Sequence, residues 1–126
     1  MSTLAEARRL AAEAQAIGNG AGIPTAGVTD ATRAGDLLNA GEAVVVLNPP
    51  TVAYPTWTEV DATWQAWVLA GPATDTDTAW GVLDTLRDAL AGPFEIDRAE
   101  PNTFTDAQGT AWPALVLTFT SHHDKE

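Results

Sequence analysis

Residues 43–47 read Ala-Val-Val-Val-Leu, apolar at every position, and the run stops at Asn48-Pro49-Pro50. A strand with apolar side chains on both of its faces belongs in the middle of a covered sheet rather than at its rim. The two prolines end it because neither can donate to a ladder. Residues 63–70 then alternate, with Trp64, Ala66, Val68 and Ala70 on one face and Gln65, Trp67 and Leu69 on the other. Between these two runs, residues 54–57 predict a short strand that Pro55 confines to an edge or a bulge.

Helical patterns flank this sheet. Thr3-Leu4-Ala5-Glu6 has the form of a capping box, and Leu4, Ala7, Leu10, Ala11, Ala14 and Ile17 follow at helical spacing, which predicts a helix over about 4–16. Gly18-Asn19-Gly20 is the expected stop. Gly71-Pro72 closes the second strand, and the hydroxyls and carboxylates of 74–77 suit a helix start, where free N–H groups and the dipole favour them. Trp80, Leu83, Leu86 and Leu90 make the stripe that should dock on the sheet, with Asp84 and Asp88 outward and Gly92-Pro93 as the stop.

The last third predicts a hairpin, strands at 94–100 and 111–121 joined through a polar turn region at 101–109. In the final strand Leu115, Leu117 and Phe119 share the face expected against the helices; Trp112, Ala114, Val116, Thr118 and Thr120 share the other. Residues 18–41 lack a sustained period and read as loop, with at most a short strand near 26–29. The expected fold class is α+β: a mostly antiparallel sheet of about four to five strands with two helices on one face, in a single domain spanning 1–126.

Seventeen acidic against six basic residues give a net charge of −11, which repels a phosphate backbone or an anionic membrane. With no cysteine, disulfides and thiolate zinc sites are excluded. No apolar stretch has the length of a signal-peptide core or of a membrane span, so a soluble protein is expected.

Catalytic chemistry finds few candidates. The serines are Ser2 and Ser121, near the two ends, with no G-x-S-x-G around either. Gly18, Gly20 and Gly22 form G-x-G-x-G, which misses the dinucleotide spacing and follows a helix instead of a strand. The single lysine is Lys125, so there is no phosphate-binding loop. His122, His123 and Asp124 are adjacent on an extended chain and point to alternate sides, which suits a solvated tail better than a metal site. Asp75 and Asp77 lack the glycine and distal glutamate of a calcium loop and read as helix caps. We expect no enzyme activity, no cofactor and no metal.

Five tryptophans, Trp57, Trp64, Trp67, Trp80 and Trp112, are too many for one core of this size, and Trp64 and Trp67 must face opposite ways. Two readings follow for the second sheet face. It is a partner surface, or residues 18–41 fold over it.

The N-terminal helix opening Leu4-Ala5-Glu6-Ala7, the strand ending in Pro49-Pro50, the Trp64-to-Pro72 strand, the helix over 74–90 and the closing strand over 111–120 together resemble the tail-terminator proteins of long-tailed phages, particularly those of actinobacterial hosts. The resemblance implies a homohexameric ring that caps the completed tail tube, halts polymerisation of tube protein and presents the joining surface to the head-tail connector or neck protein. It also implies a place in the virion at the head-proximal end of the tail after assembly in the host cytoplasm, DNA passing through the lumen without specific binding, and no active site. An acidic chain fits such a conduit. Strand geometry within that reading points to Trp64, Trp112 and Val116 as the subunit interface or its supporting layer. It also makes 48–58, with Asn48, Tyr54 and Trp57, and 101–109, with Asn102 and Phe104, projecting loops that touch tube or connector. The alternatives are a head-completion or connector protein of the neck, and a small ligand-binding or hydrolase domain.

Overall fold

The computed structural model describes residues 3–57, 59–72 and 74–124, with backbone alone for 122–124. In chain order these form a helix over Thr3–Gly20 (α1), a strand over Thr25–Val28 (β1), a 3-10 turn over Ala31–Arg33 and a short helix over Ala34–Asn39 (α2). Strands Ala43–Leu47 (β2), Thr51–Thr56 (β3) and Glu59–Leu69 (β4) follow, then a helix over Thr76–Phe94 (α3) and strands Arg98–Thr105 (β5) and Ala111–Asp124 (β6). The sheet has six strands in the order β1-β2-β4-β6-β5, with β3 also paired to β4. Only β1 and β2 run parallel; every other pairing is antiparallel. The class is α+β, with one strand and one helix more than expected.

Residues 18–41, expected as loop with at most a short strand near 26–29, hold that strand as β1 and, beyond expectation, the 3-10 turn and α2. β1 lies beside β2 in parallel, and the turn and α2 between them cross over the sheet face opposite α1 and α3. The strand β2 is buried along its whole length, as an all-apolar run must be. Its alternate residues serve two cores. Val45 and Leu47 join Trp64, Ala66, Val68, Leu115, Leu117 and Phe119 beneath α1 and α3, and the Leu83, Leu86, Leu90 stripe of α3 closes that layer. Val44 and Val46 join Leu69, Trp112 and Ala114 beneath Ala34 and Leu38 of α2. The two sides of the sheet therefore share out the tryptophans: Trp64 in the first core, Trp112 in the second, Trp80 and Trp67 half-buried against one core each.

The proline pair does more than end β2. Leu47 pairs with Ala66 and Thr51 with Thr63, so β2 and β3 continue one line along β4 with one extra residue between them, a bulge at Asn48–Pro50 where the Asn48 N–H donates to the Gln65 carbonyl. Pro55 sits in a second irregularity between Ala53 and Thr56, on the free edge, as a strand proline must. β6 follows β4 to its far end, with Asp124 opposite Glu59. The chain around His122 and His123 is thus a paired strand and not a solvated tail. β3 and the paired ends of β4 and β6 form a three-stranded end of the sheet, here called the arm.

At the opposite edge, α1 closes β1. The backbone N–H groups of Thr25 and Gly27 donate to the side chains of Asn19 and Gln15, four residues apart on α1, at 2.9 and 3.1 Å. This covers the edge against strand addition. Such close approach explains two glycines that look like a motif. A Cβ on Gly27 would overlap the Ala11 backbone, and one on Gly18 would sit 2.7 Å from the Thr25 Cβ. α1 runs through Gly18 to Gly20, and beyond it Gly22, at φ +86°, allows the Ile23 N–H to reach the Gly18 carbonyl while the Gly22 N–H reaches that of Asn19. Thr3 already lies within α1, and the Glu6 carboxylate meets Arg9.

The C-terminal boundaries also shift. α3 opens at an Asp75 cap, whose carboxylate accepts from the Thr78 N–H at 3.2 Å, and continues through Pro93 to Phe94, with Glu95 left-handed at φ 51°. Phe94 is thus a helical core residue, not the first of a strand, and packs against Phe119 with ring centres 5.2 Å apart. β5 takes up most of the expected turn region; only 106–110 turns, with Gly109 at φ +84°.

Candidate interaction surface

The sites proposed from strand geometry divide between the interior and the arm. Trp64 is 0% exposed, and its indole N–H donates to the Ser121 hydroxyl at 3.0 Å. Trp112 and Val116 are buried as well. None of the three offers a surface to a neighbour, because α1 and α3 cover the first and the second core encloses Trp112. They can act on an interface only by holding the strands beneath it. Asn48 is half-buried at the bulge, and Asn102 turns its side-chain oxygen to the Thr103 N–H at 2.8 Å. Phe104 is half-buried against the second core. Tyr54 and Trp57, by contrast, are 63% and 85% exposed on the arm. The two segments expected as loops, 48–58 and 101–109, are mostly strand: β3 with its hairpin, and the outer strand β5.

The outer edge of β5 is blunted by its own residues. Alternation along the hairpin from the Asp106–Thr110 closure turns the N–H groups of 99, 103 and 105 outward, together with position 101. Pro101 has no N–H to offer, and Asn102 occupies that of Thr103. Both ends of the sheet order are thus guarded, one by α1 and one by Pro101 and Asn102. Tyr54 and Trp57 on the arm stand in water, as does Leu4 at the start of α1.

Several hollows lie elsewhere. A cleft of about 690 Å³ opens between the start of β2 and the ends of β4 and α2, walled by Ile23, Pro24, Leu38, Val82 and Trp112. Glu42 is the one titratable residue among its described walls, so it brings together no acid–base pair and no nucleophile beside a base. A depression of about 230 Å³ lies between Ala31, Val46, Asn48, Trp67 and Phe104 on the second sheet face. The Trp67 indole N–H is buried with no acceptor among the described residues, an arrangement that costs about 1–3 kcal/mol. On the other side of the same 3-10 turn, a cleft of about 260 Å³ collects Arg8, Arg33, Gln15 and Asp30. Arg9, Arg87 and Arg98 each pair with carboxylates of their own element. Among the described residues, Arg8 and Arg33 are the cations with no carboxylate within ion-pair distance. Nothing in the spacing of the sequence could have brought 8 and 33 together; only the crossover does.

Among the described residues no three histidines or acids converge as a metal site would need, and no helix is long and apolar enough to cross a membrane. Three carboxylates are instead engaged as turn and cap acceptors, which holds each below the usual carboxylate range. For Asp106 the main cause is the Trp112 indole N–H, 3.0 Å away, followed by the Thr110 N–H. Thr32 does this for Asp30, chiefly through its backbone N–H, and Thr78 for Asp75, chiefly through its hydroxyl. A carboxylate held lower in the folded state than in the unfolded chain stabilises the fold fully above about pH 4 and loses that contribution as pH falls through its folded value. Asp106→Asn, which keeps an acceptor and removes the charge, should flatten the loss of stability below about pH 4. Urea midpoints at pH 7 and pH 3 check this: the gap between them narrows in the variant.

No protein-family model matches this chain, and no curated protein matches it either.

Proposed function

We propose that this chain is a tail-terminator-like structural protein of a long-tailed phage, which closes the tail tube as a ring of identical subunits, ends tube growth and forms the joining surface for the neck. The observation that carries the reading is the arm, the three-stranded end of the sheet formed by β3 and the ends of β4 and β6, which holds Tyr54 and Trp57 in solvent. Exposed aromatics on an ordered scaffold are what a contact surface requires. The order of helices and strands that carries the family resemblance, and a net charge of −11 suited to a wall past which DNA moves, support the same reading. In a closed ring each subunit uses two different patches, so an arm at one place and a receiving hollow at another suit heterologous contacts.

The test is the mass of the purified protein in solution, alone and with tail-tube protein, by light scattering coupled to size exclusion. A hexamer, or a monomer that assembles on meeting the tube, is expected. A monomer indifferent to tube protein would overturn the reading in favour of a neck connector.

A further inference from the structure

We infer that the arm of one copy docks on the second sheet face of another, with Trp57 in the depression beside Trp67 and the acidic base of the arm against Arg33 and Arg8. This deepens the ring reading and rests on it. The occupant follows from charge. A chain of net charge −11 repels its own copies. Self-association is therefore favoured where carboxylates of one copy meet cations of the next that are not already paired. Among the described residues those cations are Arg8 and Arg33, which line one cleft on the 3-10 turn. The same turn contributes Ala31 to the apolar depression, while its Arg33, with Asp30 just before it, lines the cleft that also holds Arg8.

The arm carries the matching pattern: Tyr54 and Trp57 exposed, with Glu59 exposed and Asp61 half-exposed on the adjoining strand. It cannot fill its own hollow. Thr56 pairs with Glu59, and Val46 pairs with Trp67. The eight residue steps along β4 from Glu59 to Trp67 span about 26 Å at about 3.3 Å each. The donor must be a second molecule, and because arm and hollow are different patches of one chain, the contact repeats head to tail.

The absence of cysteine makes a direct test possible. In a chain carrying Thr56→Cys and Ala31→Cys, a disulfide within one copy is barred by that span, since bridged Cα atoms lie within about 7 Å. Mild oxidation of the dilute protein should yield a ladder of linked species from dimer upward. A control with Thr56→Cys and Gly92→Cys, the latter at the exposed end of α3, should yield none. Trp57→Ala, whose target is in solvent and outside both cores, should weaken association at least about tenfold in sedimentation, as loss of an interface anchor does. Arg33→Glu should weaken it too, and Glu59→Arg added to Arg33→Glu should restore it.

Equal ladders from the test and control pairs, no ladder at all, or an unchanged association in Trp57→Ala would overturn the inference. So would binding of the Trp57 arm to tube protein in the absence of any self-contact. The ring reading fails separately. Rings that form with tube protein while the test pair stays unlinked would refute this contact alone; a linked ladder that leaves tube growth unarrested would refute the terminator role alone.

Discussion

Trp64→Ala is expected to cost about 3–5 kcal/mol, the largest loss of any single truncation in this chain. Trp64 is completely enclosed between β4's neighbours and the helical layer, so removing the indole opens a cavity that Leu83, Leu86, Leu117 and Phe119 cannot fill without leaving their own contacts. The change also removes the hydrogen bond that the indole donates to the Ser121 hydroxyl. Against the roughly 5–15 kcal/mol by which domains are stable, such a loss removes a large share of the stability. Urea denaturation checks it: the midpoint should fall steeply while the slope stays constant. Truncating Trp57, which stands in water, should change the midpoint by no more than about 0.5 kcal/mol. A Trp64→Ala protein with a wild-type midpoint would show that the first core is not built as described.

Gly27→Ala should be the most damaging addition of a single methyl group. The new Cβ would overlap the Ala11 carbonyl and lie 2.6 Å from its carbon, and the obstacle is helix backbone, with no side chain free to swing aside. α1 must then lift from β1. That loosens Ala7, Leu10, Ala11 and Ala14 in the first core and the Gln15 and Asn19 bonds that close the sheet edge. Overpacking of this kind costs about 1–3 kcal/mol or more. The melting temperature should drop by roughly 4 °C per kcal/mol for a chain of this length. Exchange of the Thr25 and Gly27 amide protons should accelerate ahead of those in β4, because the opening is local to the edge. The matched control is Gly81→Ala. Gly81 lies within α3 with open space where its Cβ would go. It should gain about 0.5–1 kcal/mol from helix propensity and reduced freedom of the unfolded chain.

The contrast between these two glycines shows where local pattern stops being informative. Gly81 interrupts a strong apolar stripe and changes nothing in how that stripe is read. Gly18 and Gly27, in a stretch without period, look like turn residues, yet one is inside a helix and the other inside a strand. Their lack of a side chain answers to a neighbour that arrives from elsewhere in the chain. The aromatic residues divide in the same way. Alternation along β4 and β6 separates Trp64 from Trp67 and Leu117 from Trp112 correctly. It cannot say that both faces are covered, which is why Trp112 and Val116 read as surface candidates. The short strand expected at 54–57 is the end of β3, which stops at Thr56 and leaves Trp57 in the turn that follows.

What the amino-acid order determined by itself is what depends on near neighbours: the all-apolar β2, the two-residue period of β4 and β6, the stripe of α3, the Asp75 cap and the placement of prolines at bulges and edges. These follow from backbone stereochemistry and from side chains a few positions apart. The tertiary structure alone decided that residues 18–41 become a parallel edge strand and a second layer, that α1 closes β1 through Gly18 and Gly27, and that Arg8 and Arg33 share a cleft. Each of these joins segments with no local relation. Their stability comes from packing and hydrogen bonds made only when the crossover brings them together, so no period in the sequence records them.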